Sequence, residues 1–257
     1  MKRIKNIIQA AHHKVLNIYF TAGYPEIGSM TEIITALDDF GVDLIEIGIP
    51  YSDPLADGPI IQQSNTVALQ NGMTLPLLLH QLQSLPVGKI KAGLILMGYL
   101  NPILQYGFEL FCADAAKAGV QALILPDLPL HEYQNEYADL LRKYGLDFIF
   151  LITPETSEER IRLMDKCSDA FLYAVTSSST TGSEKNMEQV SKYLIHLQSM
   201  HLKNPVLVGF GIKDKTSFDA ACLHADGAII GSAYIKFLEW STDVRTDTNT
   251  FIQSIKN

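Results

Sequence analysis

Cysteine is scarce in this chain: three residues in 257, Cys112, Cys167 and Cys222, far apart and odd in number. That spacing excludes a disulfide framework, a zinc-type ligand set and a paired-thiol redox motif, leaving small apolar packing as their role. Long apolar runs are missing too, and none approaches the roughly 18 residues that span a bilayer. Met1 to Lys14 begins basic, but Gln9, His12 and His13 interrupt it. It carries no apolar h-region and no small-residue cleavage site, so no secretory signal is read there and a cytoplasmic, reducing compartment is expected. Basic charge is not in excess. Lys and Arg number 20 against 28 Asp and Glu, giving a net charge of −8 and a pI near 5.3. This balance argues against a phosphate-backbone binder, which needs a basic patch or stripe. Like-charge blocks, low-complexity tracts and Pro/Ser-rich linkers are also absent, so no disordered tail and no domain boundary is indicated.

What the chain does have is apolar mass, 47% hydrophobic against 19% charged. This mass is distributed in short runs, each followed by a helix-like stretch. Strands are read at Leu16–Phe20, Asp43–Ile47, Gly93–Met97, Ala122–Leu125, Asp147–Leu151, Ala170–Val175, Pro205–Val208 and Gly227–Ile230. Most are near-continuous apolar runs, as expected for a parallel sheet covered on both faces. Between them, Met30–Phe40 places Met30, Ile33, Ile34, Leu37 and Phe40 at helical spacing, with Thr31, Glu32, Thr35, Asp38 and Asp39 opposite. Gly41, Gly119 and Gly145 each follow a helical stretch in the place of a C′ glycine. Thr156 and Glu159 stand at capping-box spacing. Eight strands alternating with helices at intervals of about 25 to 35 residues favour a closed barrel over a doubly wound sheet. The expectation is a single (β/α)8 TIM barrel over residues 1–257. It has an extra N-terminal helix, and an additional helix after the second strand around Ile60–Gln70, ahead of Leu75–Leu85. Ser241 to Asn257 reads as a last helix after a polar connection.

In such barrels the site lies at the C-terminal ends of the strands. The second strand and its loop run from Glu46 through Gly58 to Pro59. Strand alternation puts Leu44, Glu46 and Gly48 on one face and Asp43, Ile45 and Ile47 on the other. If Glu46 faces the interior, desolvation raises its pKa and suits it to acid/base work. A buried glutamate paired with a cation, or a solvent-facing one, fits the same sequence. Asp53 and Asp57 lie in a loop stiffened by Pro50, Pro54 and Pro59, where aspartates commonly just end turns. Together with Glu46 on one rim they point toward a two-carboxylate site.

Three glycine-bearing loops supply the other half: Thr180-Thr181-Gly182, Gly209-Phe210-Gly211 and Gly231-Ser232. Glycine lets backbone N–H groups approach an anion, and a helix starting after Gly231 adds a favourable dipole. The last two loops follow the seventh and eighth strands, the recurrent phosphate site of these barrels. Neither a dinucleotide fingerprint nor a P-loop lysine motif is present. The seven histidines, His12, His13, His80, His131, His196, His201 and His224, are scattered and suggest no metal. Lys89 and Lys91 enter the third strand at the wrong end of the barrel, so a Schiff-base lysine is not indicated.

The stretch Glu46-Ile-Gly-Ile-Pro-Tyr-Ser-Asp-Pro-Leu-Ala-Asp57-Gly-Pro closely resembles the signature of the tryptophan synthase α subunit family. The likeness extends through Phe20–Pro25, Met97–Pro102, Pro126–Pro129, Gly209–Ile212 and Gly231–Ala233, covering essentially the whole chain in order. The resemblance implies retro-aldol cleavage of indole-3-glycerol phosphate to indole and glyceraldehyde 3-phosphate. It carries Glu46 over as acid/base and Asp57 as its carboxylate partner, and it places Tyr173 in the catalytic set, lining the site. Tyr19, Met97, Tyr99 and Phe210 would form the slot for the indole ring. Thr181, Gly182, Gly211, Gly231 and Ser232 would hold the phosphate. No cofactor is implied for this chain. The partner implied is a pyridoxal-phosphate-dependent β subunit in an αββα heterotetramer, met by loop residues Tyr51 to Gly58 and by Pro129.

Two readings compete. Other phosphate-binding barrels, such as an indole-3-glycerol phosphate synthase or a histidine-pathway isomerase, need a strand-end lysine or a pair of strand-end aspartates, which are not found. A catalytically silent subunit would not need both Glu46 and Asp57. One departure from the family pattern stands out: Ser177 and Ser179 occupy positions where the family commonly has Arg and Gly. Closure of the Ser177–Gly182 loop is therefore predicted to depend less on charge. Activation by the partner should be insensitive to added salt; a steep salt dependence would refute this.

Overall fold

The structure is a computed structural model that describes residues 4–85, 88–176, 184–209 and 211–257. Its strand segments are β1 (Val15–Thr21), β2 (Leu44–Gly48), β3 (Gly93–Met97), β4 (Ala122–Ile124), β5 (Asp147–Phe148), β6 (Phe150–Ile152), β7 (Leu172–Val175), β8 (Val206–Gly209) and β9 (Gly227–Ile230). All pair in parallel, in the order β5-β4-β3-β2-β1-β9-β8-β7-β6. The two ends of that order are neighbours in the chain, separated by Ile149 alone. β5 bonds to β4 and β6 bonds to β7, while the Ile149 N–H donates to the Leu123 carbonyl at 3.0 Å. One physical strand thus hands its hydrogen bonds from one neighbour to the other, and the sheet closes into a ring of eight staves. This is a (β/α)8 barrel.

The run read as Asp147–Leu151 is therefore two segments. Its apolar sequence carries no mark of the handover, which is a matter of partners. The other strands are found where expected to within two residues at either end, and β3 and β9 have the expected bounds. Two helices precede and interrupt the alternation as expected, Ile4–Ala10 before β1 and Pro59–Gln70 after β2. The first lies against the N-terminal mouth of the ring. Its Ile4 and Ile8 pack with Val15, Leu44, Ile95, Ala122, Ile124, Ile149, Phe171, Leu207 and Ile229, which fill the lower interior. Residues of the other parity, such as Leu16, Ile18, Phe20, Ile45 and Ile47, pack outward under the helices.

Local signals resolve with one shift. Gly41, Gly119 and Gly145 have φ of 75°, 86° and 69°, the left-handed geometry of a helix end. The cap expected at Thr156 falls instead on Ser157, whose hydroxyl accepts from the Arg160 N–H at 3.3 Å. Thr156 turns back to accept from the Thr153 N–H at 3.0 Å. The helical stretch ahead of Gly145 starts at Leu130 and contains a π-helical segment over Tyr133–Tyr137. The closing helix is Val244–Lys256. Among the described residues no helix is long and apolar enough to cross a membrane.

Small residues let the ring close tightly. A Cβ on Gly227 would stand 2.4 Å from the Val15 carbonyl oxygen and 2.7 Å from its Cβ. Backbone cannot yield as a side chain can, so Gly227→Ala is expected to cost about 1–3 kcal/mol or more. The urea unfolding midpoint measures this, and an unchanged midpoint would contradict the packing described.

Candidate active site

The upper interior of the barrel differs in kind from the lower. Alternation continues from Val15 to Asn17 and Tyr19 on β1, and from Leu44 to Glu46 and Gly48 on β2. Met97 and Tyr173 sit on the same inward parity of β3 and β7, packed against the interior cluster. Bulky tyrosines are matched by glycines on adjacent strands. A Cβ on Gly48 would stand 2.2 Å from the Tyr19 hydroxyl, and one on Gly209 would stand 2.5 Å from the Tyr173 ring. Gly231 lies against Tyr19 as well, with its missing Cβ 3.3 Å from the ring.

Glu46 stands in this setting with its side chain fully enclosed, at 0% exposure. Its Oε2 accepts one hydrogen bond, from Asn17 Nδ2 at 2.9 Å. Its Oε1 has no hydrogen-bond partner among the described residues. Burial pushes the carboxyl up to about 8; the Asn17 bond opposes this and the charge of Asp57 adds to it. Loss of hydration is the dominant cause, because a carboxylate in low dielectric forfeits far more than a carboxylic acid does.

Asp57 comes from the loop that follows β2. Burial pushes its carboxyl up to about 6, against the Tyr99 hydroxyl, which donates to its Oδ2 at 3.3 Å. The same hydroxyl accepts from the Ala56 N–H at 3.0 Å, and the Tyr99 ring stacks on Tyr51 with centroids 5.1 Å apart. The loop is held from the helix Pro59–Gln70. Asn65 Oδ1 accepts from the Tyr51 N–H at 2.9 Å, and Gln62 Nε2 donates to the Asp57 carbonyl at 2.8 Å. The extra helix thus positions the second carboxylate. From the neighbouring rim, Asp127 accepts from the Leu100 N–H through both oxygens at 3.0 Å.

Three phenols surround the pair. Desolvation holds the Tyr19, Tyr99 and Tyr173 hydroxyls well above their usual range, with the charge of Asp57 adding at each. Glu46 adds at Tyr173 and at Tyr19 as well. All three are therefore neutral donors. Tyr19 also lies 3.4 Å from the Thr21 hydroxyl, which in turn bonds Ser64 at 2.6 Å.

Asp53 is not brought to the dyad. It is exposed and accepts a hydrogen bond from the adjacent Ser52. Of the residues expected at an anion, Gly231 caps the helix Ser232–Glu239, whose first residue is Ser232. Among the described residues no side chain caps that helix start, so its first N–H groups have no side-chain acceptor there. Gly211 has φ of 42°. Ser177, Ser178, Ser179, Thr180, Thr181, Gly182 and Phe210 lie outside the described residues. Among the described residues no three His, Cys, Asp or Glu are grouped to hold a metal ion. Sequence reasoning passes over Asn17, although a polar residue at an inward position of an apolar strand is a readable signal.

A family model described as tryptophan synthase alpha chain matches residues 6–256. The chain belongs to this family. The tryptophan synthase alpha chain of Flavobacterium johnsoniae is 51% identical over 242 residues, 94% of this chain and 95% of that one. That of Parabacteroides distasonis is 46% identical over all of both chains. The crystal structure of the alpha chain from Legionella pneumophila subsp. pneumophila superposes with a TM-score of 0.89 at 31% identity, covering 100% of this chain and 96% of that one. The match includes the stretch from Glu46 to Pro59, which carries the enclosed Glu46 and the half-buried Asp57.

The raised pKa of Glu46 ties stability to pH. Between the unfolded value of 4.5 and the folded value of about 8, the folded state keeps a proton that the unfolded chain releases. Stability therefore falls as pH rises through that window, by up to about 1.4 kcal/mol per unit from this group. Glu46→Gln removes the dependence. In urea unfolding the variant should gain on the wild type progressively up to about pH 8, then by a constant amount. A difference that is flat throughout would mean that Glu46 is hydrated.

Proposed function

We propose that the chain catalyses the α reaction of its family, with Glu46 as general acid/base and Asp57 as the electrostatic partner. In that reaction indole-3-glycerol phosphate is cleaved to indole and glyceraldehyde 3-phosphate. The observation that carries the assignment of roles is a fully buried carboxyl and a half-buried one on the same rim, pushed to about 8 and about 6. Between those values Glu46 is an acid and Asp57 an anion.

The chemistry needs that difference. Breaking the bond to C3 of the indole requires protonating C3, which ends aromaticity and leaves a cationic indolenine. Glu46 gives its proton to C3. As carboxylate it then takes the proton of the adjacent side-chain hydroxyl while the carbon–carbon bond breaks. The electron pair returns to the ring, the aldehyde departs, and Glu46 is left protonated by the hydroxyl's proton while the one it gave stays on C3 of the indole. Asp57 faces the ring N–H and stabilises the positive charge that develops there, in a site with little water to compete. Tyr173, neutral and beside Glu46, joins the catalytic group.

Tyr19, Met97, Tyr99 and Phe210 form the ring slot, as an apolar pocket with a few polar groups requires. Thr181, Gly182, Gly211, Gly231 and Ser232 bind the phosphate, with the uncapped start of Ser232–Glu239 supporting this reading. The whole chain works as one barrel domain in the cytoplasm and needs no cofactor of its own. Its partner is a pyridoxal-phosphate-dependent β subunit in an αββα assembly. Leu55, 91% exposed on the loop that presents Asp57, supports contact there.

The test is glyceraldehyde 3-phosphate release from indole-3-glycerol phosphate, with and without a cognate β subunit. Slow release alone, rising sharply with the partner, is expected. Rate plotted against pH should be bell-shaped, falling below about 6 as Asp57 protonates and above about 8 as Glu46 ionises. Glu46→Gln should lose about 10²–10⁴-fold in cleavage while partner activation stays largely intact. No release from the folded wild type in either condition would sink the assignment.

A further inference from the structure

Asn17 is the one amide in the strand Val-Leu-Asn-Ile-Tyr-Phe-Thr, and it points inward with 0% exposure. Burying an amide among apolar groups is costly unless its hydrogen bonds are made. Here a single bond is made, Nδ2 to Glu46 Oε2 at 2.9 Å, and Asn17 Oδ1 has no partner among the described residues. The bond therefore serves Glu46 more than it serves Asn17.

We infer that Asn17 is a positioning residue: by donating to Oε2 it makes that atom the carbonyl oxygen of the acid and puts the transferable proton on Oε1. This rests on the functional reading above, and concerns which oxygen acts. In a carboxylic acid the carbonyl oxygen is the better acceptor, so an N–H donor selects it and leaves the hydroxyl on the other oxygen. Oε1, the oxygen without a partner among the described residues, is then the one free to meet C3. When Glu46 ionises, the same N–H bond becomes charge-assisted and stronger. Asn17 thus keeps the acid strong enough to give its proton up, in surroundings that otherwise oppose ionisation.

The groups around Glu46 leave this task to Asn17. β1 adds Tyr19, the loop after β2 adds Asp57, and β7 adds Tyr173. β3 supplies Ile95 in register with Glu46, and Met97 beyond it. None of these is a cation. Asp57 disfavours ionisation of Glu46, and among the described residues Asn17 is the one side chain that favours it.

The opposite arrangement is chemically possible, with the amide turned so that Oδ1 accepts from a protonated Glu46. It predicts the opposite sign, which makes the test decisive. Titrate the Glu46 carboxyl carbon by NMR in the ligand-free, full-length protein, for the wild type and for Asn17→Leu, which is similar in size and has no donor. The Glu46 signal is identified by its loss in Glu46→Gln. The acid dissociation constant should fall about tenfold in Asn17→Leu, moving the midpoint to higher pH. With substrate, kcat should fall while KM changes little, and the alkaline limb of the rate profile should move up with the midpoint. Asn17→Ser, which keeps a donor, should recover part of the shift and serves also if the leucine variant does not fold. An unchanged midpoint reduces Asn17 to a structural role, and a downward shift establishes the turned amide; either overturns the inference. A wild type inactive on indole-3-glycerol phosphate would defeat the functional reading, yet the titration would still read this coupling.

Discussion

A carboxyl group inside a closed parallel barrel has almost no water with which to solvate a charge, and the site is organised around that constraint. Glu46 is enclosed on β2 and, among the described residues, has a single donor, Asn17, on the neighbouring strand. Every stave around it spends its backbone hydrogen bonds on the ring, so only side chains can answer the charge. One amide answers in part, and the carboxyl remains an acid at neutral pH. Asp57, held on the rim by Tyr99 and by the helix behind its loop, is less enclosed and ionises first. A difference in burial between two like groups thus becomes a difference in chemical role.

The same constraint explains the pairing of large and small residues in the upper barrel. Tyr19 and Tyr173 lie over the neighbouring staves only because Gly48, Gly209 and Gly231 present no side chain against them. Their phenols are kept neutral by burial and by the acidic pair, so they add donors and apolar wall without adding charge. Below this layer lies an apolar cluster, against which Ile4 and Ile8 of the first helix pack. Chemistry is thereby confined to the end of the barrel where strands give way to loops.

Much of this was legible in the sequence, for identifiable reasons. Strands enclosed on both faces must be apolar almost throughout, so their runs announce themselves, and glycines at 41, 119 and 145 mark helix ends because left-handed backbone demands them. Glu46 was legible as a charge in a run that otherwise excludes charge. The split of the fifth stave at Ile149 was not, since the residue is equally apolar whichever strand it bonds. The move of a helix cap from Thr156 to Ser157 reflects two adjacent hydroxyls competing for one role, which composition cannot rank. Asp53 and Asp57 are both proline-flanked; the resemblance singles out Asp57, and the fold gives the reason, leaving Asp53 exposed and holding Asp57 half-buried against Tyr99. Asn17 was the missed residue, because its meaning lies in the strand beside it.

Membership of the tryptophan synthase alpha chain family supplies a reaction, and the enclosure of Glu46 supplies a physical reason why this chain can perform it. The central claim is that Glu46 holds its proton at neutral pH in the folded, ligand-free chain. Infrared difference spectroscopy between the wild type and Glu46→Gln tests it most directly. The account predicts a carboxylic-acid carbonyl band at neutral pH that is present in the wild type, absent from the variant, and lost as pH rises past about 8. A carboxylate band in its place at neutral pH would contradict it.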